Sequence, residues 1–266
     1  MKIWAHRGCS QMYPENTILA FSKAMEIEGL SGIELDIQMT KDDEIVVIHD
    51  ERVDRTTDGI GFVKDFTYSQ IQGLSIETGK DQKEHIPSII EVLELLQEKM
   101  KDGLLLNIEL KNSNIPYEGM EEKIISLLNQ FGDPIKKQII YSSFYTRSLE
   151  RIKDLEPKAS VGILDMKVSD CLYKKRECFL QSAMEQLKDV WSENVDEKKF
   201  TQIALHPFWK GMDLTKDKLE GQTVRAWFGG HLYPEKSKET RIDLQKLECI
   251  GITDVFLNNP DIYLVS

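Results

Sequence analysis

Short apolar runs spaced by two alternate along the chain with longer stretches of helical periodicity, the marks of strands and amphipathic helices. Ile3–Arg7 reads as a strand and Asn16–Glu28 as a helix, with Asn16 or Thr17 as its cap. Strands follow at Gly32–Thr40 and Glu44–His49. A helix at Ile89–Met100 opens after Pro87 with a Ser88…Glu91 capping box. The pattern then predicts the strand Leu104–Lys111, the helix Met120–Phe131, the strand Gln138–Phe144, the helix Thr146–Leu155 and the strand Ser160–Leu164. A long helical region over Asp170–Lys188 leads to the strand Ile203–His206 and a short helix at Thr215–Leu219. The strand Thr223–Phe228, the helix Asp243–Cys249 and the strand Asp254–Leu257 close the series.

That alternation implies βαβ crossovers and a parallel sheet. About eight strands suit a closed (β/α)8 barrel, which runs to about 250 residues as one unit, and the chain has 266. No linker rich in Pro, Gly or Ser divides it and no repeat is found, so a single domain over residues 1–266 is predicted. One stretch, residues 51–86, breaks the rhythm. Its Asp58-Gly-Ile-Gly61 is turn chemistry, and it reads as a small insertion after the second βα region, on the face where a barrel's active site forms.

Composition narrows the classes. With 41% hydrophobic and 30% charged residues the chain is an ordinary soluble globular protein. It has no apolar run of roughly 18 residues, so no membrane span is expected. No secretory signal is visible and a cytoplasmic location is the expectation. A formal charge of −11 argues against a nucleic-acid partner, because binding phosphate backbones rests on clustered Lys and Arg. The four cysteines, Cys9, Cys171, Cys178 and Cys249, show no C-x-x-C spacing and fit reduced thiols. Cys9 reads as a packing residue.

The chemistry concentrates in the first fifty residues. Gly32-Ile-Glu-Leu-Asp-Ile-Gln38 is an apolar strand with acids at alternate positions, so Glu34 and Asp36 share one face while Ile33, Leu35 and Ile37 take the other. Like charges held that close repel unless a cation or proton sits between them. Asn107-Ile-Glu-Leu-Lys111 repeats the pattern with Glu109 and Lys111. In a parallel strand covered by helices no solvated face exists to explain such acids. Glu34, Asp36 and Glu109 would converge as an all-oxygen site for a hard divalent cation, Mg²⁺ or Ca²⁺. His6 and His49 each end a strand and each precede a charged residue, which suits proton transfer near neutral pH. Arg7 suits bidentate contact with a phosphate or carboxylate. Glu15 either complements a helix dipole, fixes Arg7 or contacts a substrate hydroxyl. His206 ends a strand in Ala204-Leu-His-Pro207, where packing and a site role are balanced alternatives, and Trp227 either fills the core or walls a polar substrate. His85 and His231 carry less: His85 sits in a charged loop and reads as solvated.

Together these residues resemble the glycerophosphodiester phosphodiesterase family, whose fold is a TIM barrel. The matching elements are His6-Arg7-Gly8, Pro14-Glu15-Asn16-Thr17, Glu34-Leu-Asp36, His49-Asp50, Arg55-Thr-Thr-Asp-Gly59, Ile86-Pro-Ser88, Glu109-Leu-Lys111 and Ser143-Phe144. They fall in the family's order, which is more specific than any one motif. The resemblance implies His6 and His49 as a catalytic acid/base pair, a divalent metal on Glu34, Asp36 and Glu109, and phosphate binding by Arg7 and Lys111. It implies a glycerophosphodiester substrate, cleaved to an sn-glycerol phosphate and an alcohol such as choline or ethanolamine. Glu15, His206 and Trp227 join Arg7 and Lys111 as expected substrate-binding residues. The carboxyl-terminal half departs from the family pattern. Trp227-Phe228 stands where Trp-Thr is usual, and Leu257-Asn258-Asn259-Pro260 where Thr-Asp-x-Pro is usual, which bears on the alcohol pocket more than on the reaction. The competing readings are a lysophospholipase D-like lipid phosphodiesterase, with Trp209 as a lipid contact, a non-catalytic phosphate-ligand-binding barrel, and a metal-dependent sugar isomerase.

Overall fold

Every residue from Gly32 to Met39 is buried, as expected of a strand covered on both faces in a parallel sheet. A computed structural model describes residues 1–79, 83–180, 203–229 and 241–264. Its strands are β1 (Lys2–His6), β2 (Gly32–Met39), β3 (Ile45–Val47), β4 (Ile76–Glu77), β5 (Lys83–Glu84), β6 (Leu105–Leu110), β7 (Ile139–Ser143), β8 (Ser160–Asp165), β9 (Ile203–Pro207), β10 (Arg225–Trp227) and β11 (Asp254–Leu257). Its helices are α1 (Ile18–Met25), α2 (Tyr68–Gln72), α3 (Ile89–Lys101), α4 (Met120–Asn129), α5 (Asp133–Lys136), α6 (Thr146–Leu155), α7 (Val168–Lys175), α8 (Leu244–Cys249) and α9 (Asp261–Leu264). The strand order β10-β11-β1-β2-β6-β7-β8-β9 is parallel throughout. Parallel bridges Leu205–Val224 and Phe208–Trp227 join its two ends. This is the expected (β/α)8 TIM barrel.

The period-two reading of β2 holds in three dimensions. Ile33, Leu35 and Ile37 pack in one cluster with Phe21 of α1 and Leu93 and Leu96 of α3. Burying each such side chain stabilises the fold by roughly 1.5–3 kcal/mol, and the opposite face of β2 is left to the acids. The α1 cap is Thr17, whose side chain accepts from Ala20 N, and α3 carries the expected Ser88–Glu91 capping box. Gly8 turns the chain between β1 and α1 at φ +78°, where a Cβ would lie 2.7 Å from the Ala20 backbone.

Several expectations change. The predicted strand Glu44–His49 is not one of the eight: β3 runs antiparallel to β2 as a hairpin arm. The turn between them explains this. Asp43 adopts φ +61°, and Thr40 Oγ1 accepts from Glu44 N, so the chain reverses tightly with no room for a crossover. Helix α1 is also shorter than predicted, because Asn16 lies at φ +57° outside it. The short helix is a 3₁₀ turn at Lys216–Leu219. The long helical region resolves into α7 and a π-helical turn, Arg176–Leu180; its last residues lie outside the described ones, as does His231. The stretch after β3 packs a small cluster of its own, with Val53, Val63, Ile71, Ile76 and Ile86 buried beneath it. Among the described residues no helix is long and apolar enough to cross a membrane.

Gly162 of β8 is required by its neighbour. A Cβ there would lie 2.1 Å from His206 Cε1, and His206 is fully buried, edge-on to Phe256. Gly162→Ala should therefore destabilise the fold by about 1–3 kcal/mol, read as a lower midpoint in chemical denaturation; an unchanged midpoint would contradict this packing.

Candidate active site

Polar side chains from β1, β2, β6 and β7 meet at the carboxyl ends of the barrel strands, the end where such folds build their sites. Parallel register sets them side by side: His6 opposite Glu34, Glu34 opposite Asn107, Asp36 opposite Glu109 and Glu109 opposite Ser142. One oxygen from each of Glu34, Asp36 and Glu109 lies within 4.8 Å of the other two, and all three residues are buried. Glu34 and Glu109 open on a cavity of about 400 Å³, with Asp36 buried behind them. Its charged half is formed by His6, Arg7, Glu34, His49, Asp50, Arg55, Glu109 and Lys111, and its apolar half by Phe144, Leu164, Trp227 and Phe256.

Two cations balance the acids. Arg7 Nε is 3.3 Å from Asp36 Oδ2, and Lys111 Nζ donates to Glu109 Oε1 at 2.8 Å and lies 3.8 Å from Asp36 Oδ1. Burial would raise the Asp36 carboxyl, but Arg7, then His49 and Lys111, outweigh it and hold it low. Glu34 goes the other way. Burial, then Asp36 and Glu109, push it well above the ordinary carboxylate range. The raised Glu34 marks a cluster short of positive charge, and one buried acceptor, Asp36 Oδ1, has no hydrogen-bond partner among the described residues. An oxygen-only donor set with an orphaned acceptor fits a hard divalent cation.

The histidines are held differently. His6 Nδ1 is 2.7 Å from Asn258 Oδ1, and Nε2 is 3.8 Å from Glu34 Oε2. Burial, then Arg7, pushes His6 down to about 3. His49 stands at the end of the β3 arm. Its Nδ1 is 2.7 Å from Asp50 Oδ1, and its main-chain oxygen accepts from Gln38 Nε2 at 3.0 Å. The insertion supplies Arg55, which donates to Asp50 at 2.6 and 3.0 Å and to both oxygens of Glu15 at 2.8 and 2.7 Å.

Glu15 therefore acts behind the cavity, accepting also from Arg7 Nη1 at 2.9 Å; of its three readings, fixing Arg7 is the one the geometry gives. Trp227 walls the cavity, edge-on to Phe144, with its indole N–H given to the His206 main-chain oxygen. His206 is not brought to the cavity. Its ring lies in the barrel interior, and Arg225 Nη1 is 3.3 Å from Nε2, because the opening left by Gly162 takes the imidazole inward. Trp209 stacks on Phe228 and is half-buried. Burial pushes the Cys9 thiol up to about 12, which suits packing and not nucleophilic work. His85 keeps its exposure to solvent, with Nε2 3.0 Å from Glu91 Oε1. Sequence reasoning missed four supporting residues: Asn16, which donates to Asp36 Oδ2 at 2.9 Å, and Gln38, Arg55 and Asn258. Asn16, Arg55 and Asn258 lie within the motifs that carry the resemblance or depart from it, but none has a local signal for its role, since each, like Gln38, acts across the fold.

With the geometry in hand, comparison with known proteins gives one answer. The sequence profile of the Glycerophosphoryl diester phosphodiesterase family matches residues 6–177. The chain is 47% identical over 260 residues to a glycerophosphodiester phosphodiesterase of Caldanaerobacter subterraneus subsp. tengcongensis, covering 97% of this chain and 93% of that one. It is 42% identical over 271 residues to a glycerophosphodiester phosphodiesterase of Bacillus altitudinis, covering 98% and 95%. Similar solved structures include a glycerophosphodiester phosphodiesterase from Agrobacterium tumefaciens, with TM-score 0.67, 22% identity and full coverage of both chains. Another is a phosphodiesterase from Oleispira antarctica in complex with the product sn-glycerol-3-phosphate, with TM-score 0.68, 24% identity and coverage of 98% and 94%.

The Glu15 carboxyl sits at about 2 in the fold against an ordinary 4.5, because Arg55 and Arg7 overcome the cost of its burial. A depressed acid contributes stability above its unfolded value and loses it as pH falls toward the folded one. The stability gap between the wild type and Glu15→Gln should be full near neutrality and shrink as pH falls below about 4.5, measured by denaturation at each pH. A gap independent of pH would contradict the pairing.

Proposed function

The chain belongs to the glycerophosphoryl diester phosphodiesterase family, and from that premise we propose how it works: hydrolysis of glycerophosphodiesters to sn-glycerol 3-phosphate and an alcohol, with His6 and His49 as the acid/base pair. The enzyme is a phosphoric diester hydrolase, read as one catalytic unit over residues 1–266 with an insertion at 51–86. The observation that carries the mechanism is a single cavity lined by two imidazoles, by Arg7 and Lys111, and by two of the three clustered carboxylates.

Arg7 and Lys111 present charged N–H donors suited to the non-bridging oxygens of a phosphodiester. One imidazole takes the proton of the attacking oxygen and the other returns a proton to the departing alkoxide. Asp50, clamped by Arg55, fixes the orientation of the His49 ring through Nδ1. Glu34, Asp36 and Glu109 are the residues to hold Mg²⁺ or Ca²⁺, which when bound neutralises charge on the phosphoryl oxygens. The wall of Phe144, Leu164 and Trp227 excludes water from the uncharged part of the substrate. The product seen in the Oleispira antarctica neighbour, sn-glycerol-3-phosphate, has the phosphate and hydroxyl chemistry this reading requires.

The reading is tested with glycerophosphocholine, glycerophosphoethanolamine and lysophospholipids, each with and without chelator. Turnover of the first two and its loss on chelation are expected; selective turnover of lysophospholipids would replace the substrate assignment. His6→Ala and His49→Ala should each lower kcat by about 10²- to 10⁴-fold with the circular dichroism spectrum retained, and near-normal turnover in either would refute the pair. Mg²⁺ or Ca²⁺ should raise the melting temperature of the wild type but not of Asp36→Asn or Glu109→Gln. An equal rise in all three proteins would move the cation elsewhere.

A further inference from the structure

His6 is gripped from the far end of the chain. Ala5 of β1 pairs with Leu257 of β11, so the next residues on each strand, His6 and Asn258, stand beside one another, and the rings of contact close at 2.7 Å between His6 Nδ1 and Asn258 Oδ1. Both residues are buried. Asn258 is itself anchored, since its main-chain oxygen accepts from Gln11 N at 2.9 Å. Ser10 Oγ donates to the His6 main-chain oxygen at 2.7 Å and lies 3.3 Å from the same Asn258 side-chain oxygen. Asn258 does not line the catalytic cavity; it borders a separate groove with Cys9, Tyr13 and Asp261.

We propose that Asn258 is the positioning residue of His6: its amide oxygen takes the Nδ1–H of the imidazole, leaving Nε2 as a lone pair turned toward Glu34 and the phosphate cavity. A neutral imidazole carries its proton on one nitrogen only, and the partner of that nitrogen decides which. An amide oxygen offers no proton, so it selects the Nδ1–H form. It also carries no charge, so it orients the ring without adding a fourth anion beside Glu34, Asp36 and Glu109. Long-range order is what makes this work. The contact spans 252 positions of sequence, and the backbone pairing of β1 with β11 fixes it.

The inference deepens the assignment of His6 to proton transfer, and its test separates the two. Long-range ¹⁵N–¹H spectra of [¹⁵N]histidine-labelled protein, with His6→Ala identifying the resonances, should show His6 as the Nδ1–H tautomer, whether or not the enzyme turns over. An Nε2–H tautomer in the wild type overturns the proposal. Asn258→Leu, which keeps bulk and removes the acceptor, should lower kcat roughly 10- to 100-fold, the scale typical of outer-shell partners, with KM for glycerophosphocholine little changed. Asn258→Leu should also lose the Nδ1–H preference of His6 in the same spectra. Wild-type kcat in Asn258→Leu, or an unchanged tautomer in that variant, overturns the proposal; absence of turnover in the wild type with the Nδ1–H tautomer present instead defeats the functional reading alone.

Discussion

Three buried carboxylates with oxygens held within 4.8 Å of one another are the constraint around which the protein is built. Packed apolar walls cannot accommodate that charge unless it is offset at short range. Arg7 and Lys111 supply the first offset, Asn16 adds a hydrogen bond to Asp36 Oδ2, and the Arg7 main-chain N–H reaches Glu34 Oε2 at 3.0 Å. Each partner comes from the carboxyl end of β1 or β6 or from the loop following β1. The barrel brings those ends together for backbone reasons, and the site inherits its precision from the register.

A second ring of contacts holds the groups that face the cavity. Glu15 does not line the cavity, yet it ties Arg7 to Arg55. Arg55 in turn ties the insertion to Asp50 and through it to His49. The insertion is thus joined to the reactive end of the barrel by an ion-pair chain as well as by its own apolar cluster. Gln38 performs the matching task on the backbone, fixing the His49 carbonyl while its own Oε1 accepts from Tyr117. His49 needs that support because it stands two residues beyond the three-residue antiparallel arm, outside the barrel wall.

Much of this was legible in the sequence where the signal is local. Alternation in Gly32–Gln38 and Asn107–Lys111 fixes which side chains share a face, because a strand's side-chain period is two. The barrel strands and the shared face of Glu34 and Asp36 follow from that rule; the capping box of α3 follows from the Ser88…Glu91 spacing, and the approach of Glu109 from the pairing of β2 with β6. Effects set by distant residues were not legible. His206 reads as a strand-terminal site residue, but the missing side chain at Gly162, on a neighbouring strand, takes its ring inward. Glu44–His49 has the composition of a barrel strand, and only the left-handed turn at Asp43 reveals an antiparallel arm. Leu257-Asn258-Asn259-Pro260 looked like a change in the alcohol pocket; Asn258 stands instead behind His6.

Arg7 shows why these layers belong to one design. Its guanidinium is buried between Asp36 and Glu15, and these acids together outweigh its burial to hold it firmly protonated. Even so, its Nε makes no hydrogen bond among the described residues. A phosphate oxygen competing for Arg7 must draw it away from a carboxylate, which inside a protein is costly when the carboxylate is left alone. Glu15 is not left alone, because Arg55 holds both of its oxygens independently. Asp36 retains Asn16 and has Lys111 within 3.8 Å. The redundancy around these two acids therefore lowers the cost of turning Arg7 toward an anion. A site with one cation per carboxylate would lack that freedom, which Arg55 confers by holding Glu15 and Asn16 by bonding Asp36 directly.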